Sequence, residues 1–298
     1  VTRDAADSIG TPQAGTLFVV ATPIGNLRDL TPRAADVLRD ADVLLAEDTR
    51  HTQQLLNACG VTRPGGSIES LHEHNERERV AGLVERLRGG VSMALVSDAG
   101  TPLMSDPGAL LVEEAARAGV AIVAVPGPCA AIAALSIAAL PSQRFAFEGF
   151  LPAKPAARRR ALEALAGETR TLVFYEAPHR VAASLADMAA AFGEGREAAV
   201  AREITKKFET VHRGTLGALA QRATTDPDMT RGEIVVVVSG AEARDETAAN
   251  TAAASAVLRA LLEELPVSQA AKLAARITGR GRNELYELAL AIAKPARD

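Results

Sequence analysis

The chain has no tryptophan, two tyrosines and seven phenylalanines among 298 residues. So small an aromatic supply argues against binding by extensive ring stacking. Cysteine is scarcer still. Cys59 and Cys129 stand apart in apolar, helix-like surroundings, with no Cys-x-x-Cys. That excludes a disulfide framework or a cysteine-rich zinc site and fits a reducing, cytoplasmic compartment. No run reaches the roughly 18 unbroken apolar residues of a membrane span, so no membrane partner is expected. The strongest candidate, "CAAIAALSIAAL", is Ala-rich and stops at Pro141. The opening "VTRDAADSIGTPQAG" lacks an apolar core. It reads as a flexible polar arm over residues 1–15 and not as a signal peptide.

Several catalytic signatures are missing too. There is no Gly-x-x-x-x-Gly-Lys-Ser/Thr, no Gly-x-Gly-x-x-Gly after the first strand, no His-Glu-x-x-His and no Gly-x-Ser-x-Gly. A P-loop, the usual dinucleotide fingerprint, a zinc-protease helix and a hydrolase elbow are thereby set aside. His72 and His74 share one strand face in "LHEH", but a metal needs more ligands, and none is expected. Positive charge is not in excess: the formal net charge is −4. A nucleic-acid partner would have to be met by local basic patches, not by the field of the whole molecule.

What is present is a rhythm. From Leu17 to Pro126, short apolar runs alternate with helix-period segments: "LFVVAT", "DVLLAE", "GSIESL", "VSMALVS" and "VAIVAVP" are the runs. Near-continuous apolar strands separated by helices predict a parallel sheet of about five strands, covered on both faces. A second series follows "PGPCAAIAAL", and there some strands succeed each other with no helix between, which predicts a mixed sheet. The tail from residue 242 reads as helices only. Ser268 and Asn283 are placed to cap two of them, with "GRGR" as the turn between. That spacing suits a helix-turn-helix, and a plain helical hairpin satisfies it equally. The expected fold is therefore α/β, with two α/β domains (16–127, mostly parallel; 128–241, mixed) and a small helical extension (242–298).

In open α/β sheets, ligands bind beyond the carboxyl ends of the strands. Those ends carry "ATPIGNL", "AEDTRHT", "SDAGTPLMSDPG" and "VPGPCAA", while the opposite ends carry short plain turns. One loop rich in Gly and Pro would mean little, but four at one edge predict a ligand cleft. Gly100 and Gly127 allow close backbone approach. Asp98 and Asp106 would repel phosphate and suit a ligand with a positive centre. For Asp106, a simpler role as cap of the following helix is open. The second half adds "FYEAPHR", "AREITKKFET" and "RGE" after or before apolar strands.

Together, "VVATPIGNLRDLTPRA", "LLAEDTRHTQQLL", "VSDAGTPLMSDPG", "VPGPCAAIAAL", "FYEAPHR" and "AREITKKFET" resemble the 16S ribosomal RNA (cytidine-2′-O)-methyltransferase family. That family belongs to the tetrapyrrole methylase superfamily of class III S-adenosylmethionine methyltransferases. The likeness runs from about Leu17 to Val238, and the tail is similar to that family's helical extension. It implies a cofactor cleft between the two α/β domains, holding S-adenosylmethionine. The first-strand loop would contribute Pro23, Ile24 and Gly25, and the fourth-strand loop Asp98, Ala99, Gly100, Thr101 and Met104. Cys129 and Ala130 at the interdomain helix would follow, with Tyr175, Glu176 and Ile204 from the second domain. It also implies a homodimer, and as substrate a cytidine ribose in the decoding region of 16S rRNA within the small ribosomal subunit.

For methyl transfer to a ribose 2′-oxygen, either a base takes the proton or a cation steadies the developing alkoxide. Candidates are Lys206, as a cation or as a base of lowered pKa, and the carboxylates Glu203 and Glu47. Arg50, His51, Arg180 and Lys207 are expected to touch RNA, as are Arg158 and Arg159 in "KPAARRR" and Arg280 and Arg282 in "RITGRGR". Rival readings are a tetrapyrrole or other small-molecule methyltransferase, and a non-catalytic S-adenosylmethionine-binding RNA-binding protein.

Overall fold

The computed structural model describes residues 15–63, 67–242 and 246–293. All of the expected N-terminal arm except Gly15 lies outside the described residues. The chain divides into two compact units between Gly240 and Ala241.

In the first unit, β1 (Thr16–Val20), β2 (Val43–Ala46), β3 (Ser67–Ser70), β4 (Met93–Val96) and β5 (Ala121–Val125) form one sheet, ordered β3-β2-β4-β1-β5. Every pairing in it is parallel. Helices α1 (Pro32–Asp40), α2 (Thr49–Ala58), α3 (Glu76–Arg88) and α4 (Ala109–Arg117) supply the crossovers. The period of two along each strand sorts the core onto two faces. Leu17, Leu45 and Leu95 meet Leu83 of α3 and Leu111 of α4 on one face. Phe18, Leu44 and Val96 meet Leu38 of α1 and Leu56 of α2 on the other. Burial on both faces is why "VLLA" and "MALV" are apolar without a break. Thr31 caps α1 ahead of Pro32, and Asp48 caps α2 through the Arg50 and His51 N–H groups.

Helix α5 (Ala130–Ile137) leads to the second sheet. Its strands are β6 (Phe145–Phe150), β7 (Thr171–Glu176), β8 (Glu197–Arg202), β9 (Thr210–Thr215) and β10 (Ile234–Val238), ordered β6-β7-β10-β8-β9. β6 runs parallel to β7 and the other pairs are antiparallel, so the sheet is mixed as the sequence predicted. Helices α6 (Pro155–Leu165), α7 (Val181–Phe192) and α8 (Leu216–Thr225) cover one face, around Phe174, Leu185 and Val236. The other face presents Val173, Val235 and Val237 to Ala131, Ala134 and Leu135 of α5, and Ile24 from the first domain joins that cluster. One small, Ala-rich helix thus packs the second sheet and brings it against a loop of the first.

The second unit holds α9 (Glu246–Leu262), α10 (Val267–Thr278) and α11 (Arg282–Ala293). Leu258, Ala274, Leu285 and Ala289 share its core, and the alanines allow close helix approach. The expected caps are corrected here. α10 starts one residue before Ser268, with Pro266 as its cap residue and no side-chain cap bond. α11 starts at Arg282, and its first backbone bond runs from Leu285 N–H to Gly281 C=O, so Asn283 is inside the first turn. Proline, with its fixed φ and no N–H to satisfy, and glycine end these turns without a side-chain acceptor.

Candidate active site

The strand-end loops of the first sheet are stitched to one another. Beyond the parallel β1–β4 pair, Thr22 and Gly100 form an antiparallel bridge, with N···O distances of 2.9 and 3.1 Å. Gly100 has φ +86°, and a Cβ there would crowd Ile24 at 3.2 Å, so this close approach requires glycine. The Thr101 hydroxyl donates to Pro128 C=O at 3.0 Å, tying in the loop after β5. Asp98 ties in the loop after β2: it accepts the Asp48 N–H at 3.2 Å and faces His51 Nδ1 at 3.7 Å. The second sheet joins through Tyr175, whose hydroxyl accepts the Ala131 N–H at 3.3 Å, one of the unpaired donors at the start of α5.

Between these loops and the second sheet lies a pocket of about 410 Å³, a size suited to a small-molecule cofactor. Of the expected cofactor residues, Ile24, Asp98, Ala99, Gly100, Thr101, Met104, Ala130, Tyr175, Glu176 and Ile204 line it. Pro23 and Gly25 do not: Pro23 is buried, and Gly25 is exposed beside the Lys206 side chain. Cys129 is the cap residue of α5 and packs in the interdomain cluster. Glu176 takes part in the wall, but its carboxylate is buried. That carboxylate accepts from the Ser184 hydroxyl and the Ala177 N–H and pairs with Arg180 at 3.1 Å.

The wall also includes Asp106, read from sequence as an acid facing a positive centre, and residues given no binding role there: Ser105, Phe150, Ala177, Pro178 and Gly232 to Val235. Gly232 to Val235 come from the start of a strand. Because β10 is antiparallel to β7 and β8, its first residue pairs with Glu176 and Arg202 at their carboxyl ends. The "RGE" segment was the signal for it. Asp106 faces this pocket and is not the cap of α4, whose cap residue is Gly108.

The charged groups around the pocket divide into two sets. Glu47, beside Asp98 and Asp106, has its pKa raised, first by burial and then by those two negative charges. Asp106 is raised too, by burial and by Asp98, against the Ser97 hydroxyl that bonds it. Across the pocket, Lys206 Nζ lies 3.0 Å from Glu203 and 2.8 Å from Glu233. Partial burial pushes the Lys206 ammonium down, but the two carboxylates outweigh it and raise its pKa. This overturns the expectation of a lysine base of lowered pKa and leaves the cation. Burial likewise pushes Glu203 up, but the Glu233 N–H and Lys206 hold it below its ordinary value. Among the described residues, five non-glycine positions have positive φ; Ser105 lines the pocket, and Leu103, Glu203 and Thr205 adjoin the lining residues Met104 and Ile204 in the chain. Such conformations cluster where a site dictates the backbone.

The expected RNA contacts also divide. Arg50 and Lys207 are exposed, and His51 is largely so. Arg158 is corrected: its side chain is 5% exposed and pairs with Asp187 at 2.7 Å, whereas Arg159 is 57% exposed. Helix phase turns neighbouring arginines to opposite surroundings. Arg180 is corrected likewise, since its guanidinium is engaged by Glu176 and Leu151 C=O. In the second unit Arg282 is exposed, and Arg280 pairs with Glu284.

A family model described as Tetrapyrrole (Corrin/Porphyrin) Methylases matches residues 16–220, and one described as RsmI C-terminal HTH domain matches residues 248–293. The chain is 55% identical to "Ribosomal RNA small subunit methyltransferase I" of Xylella fastidiosa, over 91% of this chain and 98% of that one. It is 53% identical to the protein of the same name from Pseudomonas aeruginosa, over 93% and 97%. Among solved structures it is similar to a cobalamin biosynthetic enzyme, cobalt precorrin-4 methyltransferase, with TM-score 0.54, 22% identity and coverage of 76% and 95%. That likeness bears on the fold. With the pocket between two sheets, the two family matches and relatives aligned over nearly their whole length, the chain belongs to the tetrapyrrole methylase family and, within it, to the ribosomal RNA small subunit methyltransferase I family.

Proposed function

We propose that this protein methylates the ribose 2′-oxygen of a cytidine in the decoding region of 16S rRNA, using S-adenosylmethionine and acting on the small ribosomal subunit in the cytoplasm. The observation that carries the cofactor half is the pocket. Its wall holds Asp98, Asp106 and Glu233 and no Lys or Arg. That composition disfavours a polyphosphate and suits a ligand with a cationic centre and an apolar body. Similarity to named ribosomal RNA methyltransferases over nearly the whole chain supports the RNA half.

The residues fit the cofactor in kind. The backbone of the Asp98 to Thr101 loop can read a polar ring edge, Ile24, Met104 and Ile204 give apolar walls, and the acids face a positive centre. When bound, S-adenosylmethionine supplies an electrophilic methyl group on a charged sulfur. Of the candidate carboxylates Glu47 and Glu203, Glu47 is the one assigned to take the 2′-hydroxyl proton: it stands beside Asp98 and Asp106 at the pocket and its pKa is raised. Glu203 is not suited, being held low and already bonded by Lys206 and the Glu233 N–H. Lys206 stays cationic and steadies negative charge developing on the ribose oxygen. Arg50, His51 and Lys207, with Arg159 further off on α6, meet phosphates, so binding is salt-sensitive.

The protein works as a homodimer in this reading. Ile132 of α5 and Phe145 of edge strand β6 are large apolar side chains exposed in the single chain, and a second copy would cover them. Among the described residues, no helix is long and apolar enough to cross a membrane.

The test is incubation with methyl-labelled S-adenosylmethionine and isolated small ribosomal subunits, followed by nuclease mapping. Label on one cytidine ribose is expected. Label on a base, or on an added tetrapyrrole in place of RNA, would overturn the reading. So would tight binding with no transfer.

A further inference from the structure

Phe208 stands in the turn between β8 and β9 and is 62% exposed, more than any other large apolar side chain among the described residues. The turn that carries it is firmly built. Lys206 N–H bonds Glu203 C=O at 3.0 Å, Glu209 N–H bonds Lys206 C=O at 3.1 Å, and the Glu209 carboxylate accepts the Thr205 N–H at 2.6 Å. Glu203 N–H fastens the turn to Glu233 C=O at 2.9 Å. A lone exposed ring is ordinary on a protein surface, so its meaning depends on whether its surroundings suit a partner, and of what kind.

The surroundings indicate which kind. Lys207 Nζ lies 5.5 Å from the centre of the Phe208 ring. Two residues before Phe208, Lys206 bonds Glu233 in the pocket wall and lays its stem against Gly25. Just beyond Gly25, Leu27 is 46% exposed and Arg28 is exposed. The two segments that meet at Lys206 and Gly25 thus each carry an exposed apolar side chain and a cation: Phe208 with Lys207, and Leu27 with Arg28. A flat ring carrying phosphates complements that combination; a purely apolar protein contact has no use for the cations. Few aromatic residues are needed when one is fixed in the right place.

We propose that Phe208 is the platform on which an unstacked base of the RNA substrate stacks, with Lys207 on the adjoining phosphate. The inference rests on the methyltransferase reading above. Phe208 is a positioning residue, acting through the base and not on the reacting atoms.

The test compares wild type with Phe208→Ala, Phe208→Leu and Phe208→Tyr. Methyl transfer to small ribosomal subunits, S-adenosylmethionine affinity by calorimetry, thermal unfolding and oligomeric state by sedimentation are measured for each. Base–aromatic stacking predicts that Ala and Leu lose about ten- to a hundredfold in kcat/KM for RNA, chiefly through KM. Tyr should stay close to wild type, and cofactor affinity, unfolding temperature and assembly should be unchanged in all. Full activity in Leu, or in Ala, overturns the platform while leaving the methyltransferase reading intact. A change of assembly state in Ala overturns it in favour of a contact between copies. No ribose methylation by wild type overturns the methyltransferase reading and this inference together.

Discussion

The side chain of Lys206, in the turn between β8 and β9, lies against Gly25 in the loop after β1: a Cβ there would stand 2.5 Å from Lys206 Cγ and 2.8 Å from its Cε. Lys206 cannot swing aside freely, because Glu203 and Glu233 hold its ammonium. Gly25→Ala should therefore break these bonds or push the β1 loop out of the pocket wall. The φ of +150° adds strain for any residue with a Cβ. Overpacking of this kind costs about 1–3 kcal/mol. Transfer activity should fall by more than the unfolding temperature suggests. A fully active Gly25→Ala would show that the Lys206 placement is dispensable.

Glu47 and Lys206 have separable signatures. As the base, Glu47 must be ionised, so kcat/KM should fall as pH drops through its pKa, which lies above the ordinary carboxylate value of 4.5. Glu47→Gln should remove that acid limb and lower kcat about a hundredfold or more. Lys206→Ala should lower kcat about a hundredfold with cofactor affinity kept, and Lys206 should add no titration near neutral pH. Unchanged turnover in either variant removes that residue from the chemistry.

Arg158 and Arg159 are adjacent in sequence and should behave oppositely. Removing Arg158 takes the close partner from the half-buried Asp187, leaving it Arg159 at 3.9 Å, so Arg158→Met should cost on the order of 3 kcal/mol of stability by urea unfolding. RNA affinity, measured where the protein is folded, should hold. Arg159→Ala should leave stability alone and reduce the slope of log affinity against log salt by about one. An equal salt slope in wild type and Arg159→Ala would take Arg159 off the RNA surface.

Glu69 clamps β3 to α3 through Arg79 and Arg86. Its carboxyl is held at about 2, first by Arg86 against the opposing effect of burial, with help from Ser67 and Arg79. Since the folded value lies below the unfolded 4.5, this stabilisation is present above pH 4.5 and is lost as pH falls toward 2. Partial exposure limits it to on the order of 1–2 kcal/mol. Glu69→Gln should therefore be less stable than wild type at pH 7, with the difference shrinking by pH 3, in urea melts at both values.

Much of this protein was legible in its sequence, because hydrophobic period and turn chemistry are local. Unbroken "VLLA" and "MALV" called for a sheet covered on both faces. Loops rich in Gly, Pro and Asp after β1, β2, β4 and β5 marked one edge of it, and ten of the expected cofactor residues line the pocket there. Tertiary structure decided what depends on pairing and on helix phase. The antiparallel register of β10 brought Gly232 to Val235 into the wall beside the ends of β7 and β8. The rotation of α6 buried Arg158 and exposed Arg159 within one run of identical residues. Lys206 became a fixed cation because its neighbour Glu203 is joined in space by Glu233, 27 residues further on. Charge state and burial are properties of the surroundings, and the chain specifies those only once it has folded.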